Sequence, residues 1–192
     1  DCYRWPYYYS RSPSRRRATE ELARKYAALA DRVVEAYGRP VALLCMEQLD
    51  ESLARQILGM MRHAGRARVF SSRECDAARM TGILRGLDAL VTSRFHAAVL
   101  SLAAGVPQVA FGHDVRLEAL YQDLGIADRF FVRHPSPDAF DVLKERLGCL
   151  LADPEAVRPG LLRGHAEHLG RARRNRDLLR AFVQAHGWET AS

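Results

Sequence analysis

The sequence predicts an α/β protein with a parallel sheet of about four to six strands, flanked by helices and followed by a long helical tail. Two observations support this prediction. Short apolar runs bounded by turn residues alternate along the chain with longer segments whose apolar residues recur at helical spacing. The short runs are apolar throughout, a pattern that is typical of strands covered on both faces. Strands that alternate with helices favour parallel pairing through right-handed crossovers.

The chain opens with a stretch over 1–16 that is rich in aromatic residues, arginine, serine and proline. Within it, Ser12-Pro13 is expected to prevent a regular element from persisting, because the residue before a proline is pushed out of helical geometry. The first helix is therefore predicted over 19–37, where apolar side chains recur at helical spacing. Gly38 is expected to end it, since glycine is the preferred residue after a helix.

Strands and helices then alternate to the end of the sheet. The elements predicted next are a strand over 41–46, a helix over 50–63, a strand over 68–71 and a helix over 74–84. Ser71 and Glu74 have the spacing of a capping box, so Glu74 is expected to open that last helix. The remaining elements are strands over 89–92, 107–111 and 130–132, helices over 95–104 and 114–123, and two tail helices that divide near Asp153-Pro154.

These patterns divide the chain into three parts, which are a lead-in over 1–16, a Rossmann-like domain over 17–136 and C-terminal helices over 137–192. The helices are expected to pack on that domain or on a partner domain. Because the first residue is Asp1 rather than Met, we expect a chain that is processed or is part of a longer protein. The absence of a Gly-x-Gly-x-x-Gly motif argues against a simple dinucleotide site.

The composition predicts a soluble, cytoplasmic protein that does not bind nucleic acid. The formal net charge is +6, yet Lys25 and Lys144 are the only lysines, whereas proteins that grip phosphate backbones usually mix lysine with arginine. Four cysteines are scattered without paired spacing, which favours a reducing compartment, and Cys45 in a strand pattern is expected to be a small buried hydrophobe. No apolar run approaches the ~20 residues of a membrane-spanning helix.

Charged residues follow two consecutive predicted strands at the point where each strand ends. Arg94 and His96 come after the strand over 89–92, and His113, Asp114 and Arg116 follow the next strand. In parallel sheets, ligands bind outside the carboxyl ends of the strands, where helix N-termini direct N–H groups at negative charge. The sequence therefore predicts an anion-binding site at this edge.

These residues belong to the first and third of three short motifs whose order resembles the carboxyl-terminal half of the polysaccharide pyruvyl transferase family. The motifs are Ser93-Arg94-Phe95-His96, Ala104-Gly105-Val106-Pro107 and His113-Asp114-Val115-Arg116. Weaker matches at Cys45-Met46, Asp50 and Glu74 extend the resemblance to about 41–131. The family usually has Met-Arg-Leu-His and Tyr-Asp-Pro-Lys where this chain has its first and third motifs.

The resemblance implies one half of a GT-B fold, in which two Rossmann-like domains face each other across a cleft. It implies an enzyme that transfers a pyruvyl group from phosphoenolpyruvate to a sugar diol, forming a ketal in cell-envelope or exopolysaccharide biosynthesis. This chain would supply the donor-side half, and an N-terminal domain would be missing. The expected partners are phosphoenolpyruvate and a glycan or glycolipid acceptor. No cofactor and no metal are expected. The enzyme is expected in the cytoplasm, at the inner face of the membrane.

The resemblance also implies roles for individual residues. Arg94 would clamp the donor, because a guanidinium can grip a carboxylate or phosphate with two hydrogen bonds. His96 would act as acid or base, because imidazole exchanges protons near neutral pH. The residues expected to bind substrate are Ser93, Arg116 for the donor phosphate, His113, Asp114, Glu74 and Arg4 of the lead-in.

Two other functions are also compatible with these residues. In a glycosyltransferase domain that binds a nucleotide sugar, Glu74 or Asp114 would hold ribose hydroxyls and the arginines would hold the diphosphate. A non-catalytic anion-binding module would keep the fold without the chemistry. His165 and His168 lie one helical turn apart, but no carboxylate or thiol completes a metal site with them. The arginines over 171–176 are expected to form a solvated face or a peripheral membrane contact.

Overall fold

The structure is a computed structural model that describes residues 13–187, with side chains from residue 16 onward. It is an α/β fold with parallel sheets and a long C-terminal helix, as the sequence predicts. The chain divides into two compact units, unit 1 (residues 1–82) and unit 2 (residues 83–192). No helix in the described part of the chain is both long and apolar enough to cross a membrane.

Unit 1 contains two strands and the helices that precede and follow them. Its elements in order are α1 (Pro13–Tyr37), β1 (Val41–Cys45), α2 (Asp50–Met60), a 3-10 turn (Ala64–Arg66), β2 (Ala67–Ser71) and α3 (Ala77–Arg85), within which the boundary falls. The two strands run parallel in a register that pairs Val41 with Ala67 and Cys45 with Ser71. Their carboxyl ends therefore lie side by side. Cys45 is fully buried, as expected.

The core of unit 1 forms where α1 packs on α2. Ala23, Ala27 and Ala30 recur at helical spacing on α1 and are buried against Ile57 and Met61. Small alanine side chains on one helix face allow a neighbouring helix to approach closely, and the larger side chains of α2 fill the contact.

A buried carboxylate fixes the end of this helix pair. Asp31 of α1 is only 3% exposed, and it accepts hydrogen bonds from the backbone N–H groups of Arg62 at 3.0 Å and His63 at 2.9 Å. Burial raises the pKa of Asp31, but these two hydrogen bonds and the Arg62 guanidinium outweigh that effect, so the pKa lies below its ordinary value. The charged form of Asp31 is therefore part of the fold.

Unit 2 contains a three-stranded parallel sheet in the order β3-β4-β5. Its elements are β3 (Leu90–Thr92), α4 (Phe95–Leu102), β4 (Gln108–Gly112), α5 (Val115–Asp123), α6 (Ala127–Phe130), β5 (Phe131–Arg133), α7 (Ala139–Ala152), a 3-10 turn (Pro154–Ala156) and α8 (Arg158–Ala185). Every residue of the central strand β4 is buried. The division of the tail near Asp153-Pro154 is confirmed, because the Asp153 side chain caps the 3-10 turn between α7 and α8.

A polar network crosses the core of unit 2. The Tyr121 hydroxyl of α5 donates to Gln108 Oε1 of β4 at 3.1 Å, and Gln108 Nε2 donates to the Ala98 carbonyl of α4 at 3.4 Å. Gln108 is 1% exposed and Tyr121 is 0% exposed, and burial raises the pKa of Tyr121 well above its ordinary value. The network thus joins the central strand to both helices that follow the predicted site motifs.

The sheet differs from the prediction. A single sheet of about four to six strands was expected, but the five strands among the described residues form one sheet of two strands and one of three. The reason is that an apolar run identifies a strand without identifying its partner. Pairing depends on backbone hydrogen bonds between segments distant in sequence, and in the described residues β1 pairs with β2 while β3 pairs with β4.

Two helix starts also differ. α1 begins at Pro13, six residues before the predicted start, because proline is favoured in the first helical turn, where its missing N–H is not needed. The predicted capping box is wrong: Asp76 caps α3 by accepting from the Arg79 N–H at 2.7 Å. Glu74 lies before that helix, in a turn where its N–H donates to the Ser71 carbonyl.

Replacing Asp31 tests whether its buried carboxylate stabilises unit 1. We expect Asp31→Ala to lower the free energy of unfolding by about 1–3 kcal/mol, because two partly buried backbone N–H groups lose their acceptor. Because the folded pKa is lowered, this contribution is present above the unfolded pKa and is lost as pH falls through the folded pKa. Urea denaturation at neutral and acidic pH measures both effects.

The matched control is Glu20→Ala, which removes an exposed carboxylate of the same helix that pairs with Arg24. We expect little change in stability from this control, because exposed ion pairs contribute little. Equal stability of Asp31→Ala and the control at neutral pH would contradict the assigned role of Asp31.

Candidate functional site

The predicted site residues of unit 2 follow the carboxyl ends of adjacent strands. β3 ends at Thr92 before Ser93 and Arg94, and β4 ends at Gly112 before His113. A Cβ placed on Gly112 would lie 3.6 Å from the Cβ of Ser93, so the two strand ends are in close contact. β5 completes the row, since its last residue pairs with Gly112. The sheet therefore presents three strand ends along one edge.

The turn between β3 and α4 is held by a threonine. Thr92 Oγ1 accepts from the Arg94 N–H at 2.9 Å and donates to the Arg94 carbonyl at 3.3 Å. Arg94 keeps an extended backbone, and α4 begins at the next residue. His96, in the first turn of α4, is exposed. Within the described residues, the side chain of the N-cap residue Arg94 makes no capping hydrogen bond to α4, and the first-turn N–H groups of a helix are groups that can bind an anion.

The turn between β4 and α5 is stabilised by an interaction between two of its own charged residues, Asp114 and Arg116. Asp114 caps α5 by accepting from the Arg116 N–H at 2.9 Å, and it also binds the Arg116 guanidinium, with Nη2 2.7 Å from Oδ2. The side-chain hydrogen bond from Arg116 is the main reason that the pKa of Asp114 lies below its ordinary value. The Arg116 guanidinium also lies over the Phe95 ring, 5.5 Å from its centroid. Arg116 therefore connects the start of α5 to the start of α4.

The third strand end adds residues that sequence reasoning did not assign to the site. Arg133 at the end of β5 forms an ion pair with Glu118 on α5. The His134 ring stacks on Phe111, with ring centroids 4.8 Å apart, and packs edge-on against Phe140. The sequence carried the same signal here as at the first two strands, because Arg133 and His134 follow a short apolar run just as Arg94 and His96 do.

The structure brings most of the predicted site residues to one edge. The six that lie together on the loops and first helical turns at this edge are Ser93, Arg94, His96, His113, Asp114 and Arg116. Glu74 belongs to unit 1, where it lies exposed in the turn after β2. Arg4 lies outside the described residues. In the described part of the chain, no three His, Cys, Asp or Glu side chains are grouped to hold a metal ion.

The corresponding edge of unit 1 is occupied by internal ion pairs. Glu51 accepts from Arg55 Nη2 at 2.6 Å and from Ser71 Oγ at 3.0 Å, and Arg73 Nε lies 3.4 Å away. The hydrogen bond from Arg55 is the main cause of the lowered pKa of Glu51. Burial raises the pKa of Cys45, at the end of β1, to about 11. That thiol is therefore protonated at neutral pH, which excludes it as a ready nucleophile.

Comparison with known proteins gives one family. The family model for polysaccharide pyruvyl transferase matches residues 4–115, which is more than half of the chain. The match contains the Arg94 and His96 turn and ends at Val115, the first residue of α5, before Arg116 and β5. Neither the curated proteins nor the solved structures contain a significant match. Because the family model covers the majority of the chain, this protein belongs to the polysaccharide pyruvyl transferase family.

Proposed function

We propose that unit 2 carries the donor site of an enzyme that transfers a pyruvyl group from phosphoenolpyruvate to a sugar diol. The observation that carries this proposal is the placement of Arg94 and His96 at the uncapped N-terminus of α4, on the carboxyl edge of the sheet, within the region matched by the family. The acceptor is a glycan or glycolipid of the cell envelope or an exopolysaccharide. A second domain, on a longer protein, completes the GT-B cleft.

Phosphoenolpyruvate carries a carboxylate and a phosphate, so its site needs two groups that bind anions. Arg94 and the first-turn N–H groups of α4 form the first. Arg116 is the second: its bonds to Asp114 use Nε and Nη2, and Nη1 is the nitrogen that we assign to the donor phosphate. Because Arg116 is held by both Asp114 and Phe95, it meets the donor with little loss of side-chain freedom.

Ketal formation needs a group that moves protons. A proton added to the methylene carbon of phosphoenolpyruvate makes a methyl group and leaves positive charge at the adjacent carbon. One acceptor hydroxyl attacks that carbon and loses its proton, phosphate leaves with the bonding electron pair, and the second hydroxyl closes the ring and loses its proton. His96 is our candidate for the acid or the base, because it is exposed next to the donor clamp. Ser93 and His113 line the same edge and are assigned to substrate contacts.

Calorimetric titration with phosphoenolpyruvate tests the donor clamp. We expect saturable binding by the wild-type chain and a loss of about 2 kcal/mol, or roughly 30-fold in affinity, in Arg94→Ala, because a charge-assisted hydrogen-bond pair is removed. Arg129→Ala is the matched control, since Arg129 lies just before β5, at the opposite end of the strand from the site. We expect it to bind like wild type.

Binding of UDP or UDP-sugars in place of phosphoenolpyruvate would contradict the proposal in favour of a glycosyltransferase domain. Failure of all these ligands to bind would favour a module without the transfer chemistry. Unchanged phosphoenolpyruvate affinity in Arg94→Ala would remove Arg94 from the donor site.

Asp114→Asn tests the assignment of Arg116. Asparagine caps helices as well as aspartate does, so α5 keeps its N-cap while the negative charge beside the site disappears. We expect phosphoenolpyruvate to bind about three- to tenfold more tightly, because the guanidinium no longer neutralises a carboxylate and the anion meets less repulsion. Weaker binding in the same titration would instead indicate that the Asp114 carboxylate contacts the ligand itself.

A further inference from the structure

The second half of the C-terminal helix extends beyond the packed part of unit 2. The first half of α8 is anchored, since Leu161 and Gly164 are buried and a Cβ on Gly164 would lie only 2.1 Å from the side chain of Leu124. Arg171 Nη1 forms an ion pair with Asp123 Oδ2 of α5 at 3.0 Å. We name residues 171–185 the distal α8 segment. None of its residues is buried, and it extends for about 22 Å at the helical rise of 1.5 Å per residue.

The distal α8 segment exposes large apolar side chains on one face. Leu178, Leu179 and Phe182 are 64%, 62% and 47% exposed. Their spacing places them on the same side of the helix, together with Val183 and Ala185. Three large exposed hydrophobic residues within five positions form a patch, and such a patch indicates a binding surface more often than scattered single residues do.

The charge of the segment restricts the kinds of binding partner that can cover the apolar patch. The segment holds five arginines and one aspartate, so it carries four net positive charges. At helical spacing, Arg174 and Arg176 flank the apolar face, while Arg173 and Arg180 lie opposite it. A second copy of the same helix would bring like charges together, which opposes pairing. An anionic surface with an apolar interior matches both the charge and the exposed side chains.

We propose that the distal α8 segment docks on an anionic lipid membrane, with the helix lying in the plane of the interface. Leu178, Leu179 and Phe182 insert at the boundary between headgroups and acyl chains, and the flanking Arg174 and Arg176 reach the lipid phosphates along their aliphatic stems. The helix lies on the bilayer and does not cross it, in agreement with the described helices. This inference does not depend on the donor site, because its residues are on a different part of unit 2.

Vesicle co-sedimentation of the whole 192-residue chain tests the proposal. We expect binding to phosphatidylcholine vesicles that contain phosphatidylglycerol, little binding to phosphatidylcholine alone, and weaker binding as salt is raised. The double variant Leu178→Ser with Phe182→Ser should weaken binding at least about tenfold, because it removes the inserted apolar surface. Arg174→Gln with Arg176→Gln should also weaken it. All four side chains are exposed, so circular dichroism should show an unchanged fold.

The charge-matched control is Arg32→Gln with Arg79→Gln, two exposed arginines of unit 1, and we expect it to bind like wild type. Several outcomes would overturn the proposal. They are absence of binding to the anionic vesicles, equal binding to neutral vesicles, insensitivity to the Leu178 and Phe182 changes, and an equal loss in the control. Light scattering could also overturn the proposal. If the wild-type chain is a dimer and the Leu178→Ser, Phe182→Ser variant is a monomer, the patch binds a second copy of the chain.

Discussion

The site of unit 2 depends on one buried polar interaction, the contact of Gln108 with Tyr121 and with the Ala98 carbonyl. A buried amide or hydroxyl without a partner is costly, so β4, α4 and α5 are stable together only in the arrangement that satisfies all three groups. Both helices begin at the carboxyl edge of the sheet. The network that holds their bodies in place therefore also fixes the distance between the Arg94 turn and the Asp114 turn, although it lies in the core and touches neither.

Charge balance then determines which part of the edge can receive an anion. The two carboxylates in the first turns of α5, Asp114 and Glu118, are each paired with an arginine, Arg116 and Arg133. The paired arginines therefore reduce the repulsion that these two carboxylates exert on a bound anion. α5 is capped by its N-cap residue Asp114, whereas in the described part of the chain the N-cap residue of α4, Arg94, makes no side-chain capping bond. This difference between two neighbouring helix starts is why we place the donor carboxylate on α4 and only its phosphate near α5.

Local patterns predicted most elements of the fold to within a few residues, because apolar periodicity and glycine or proline signals act within a few positions. The same patterns also identified six candidate site residues that the structure places together at the carboxyl edge of the unit 2 sheet. What the sequence did not show depends on distant partners. Asp31 meets N–H groups some thirty positions away, and the strands form two sheets because pairing is not encoded in any single run. Asp114 and Arg116 are close in sequence, but their spacing does not show whether Asp114 caps a helix or binds a substrate.

A backbone amide NMR titration of the ¹⁵N-labelled chain with phosphoenolpyruvate tests most directly whether the start of α4 receives the donor anion. We predict that the largest shift changes occur at the amides of Phe95, His96 and Ala97, where the helix N-terminus meets the carboxylate, with smaller changes at Arg116. Changes confined to the arginines of the distal α8 segment or to unit 1, with the α4 amides unaffected at saturation, would contradict the claim.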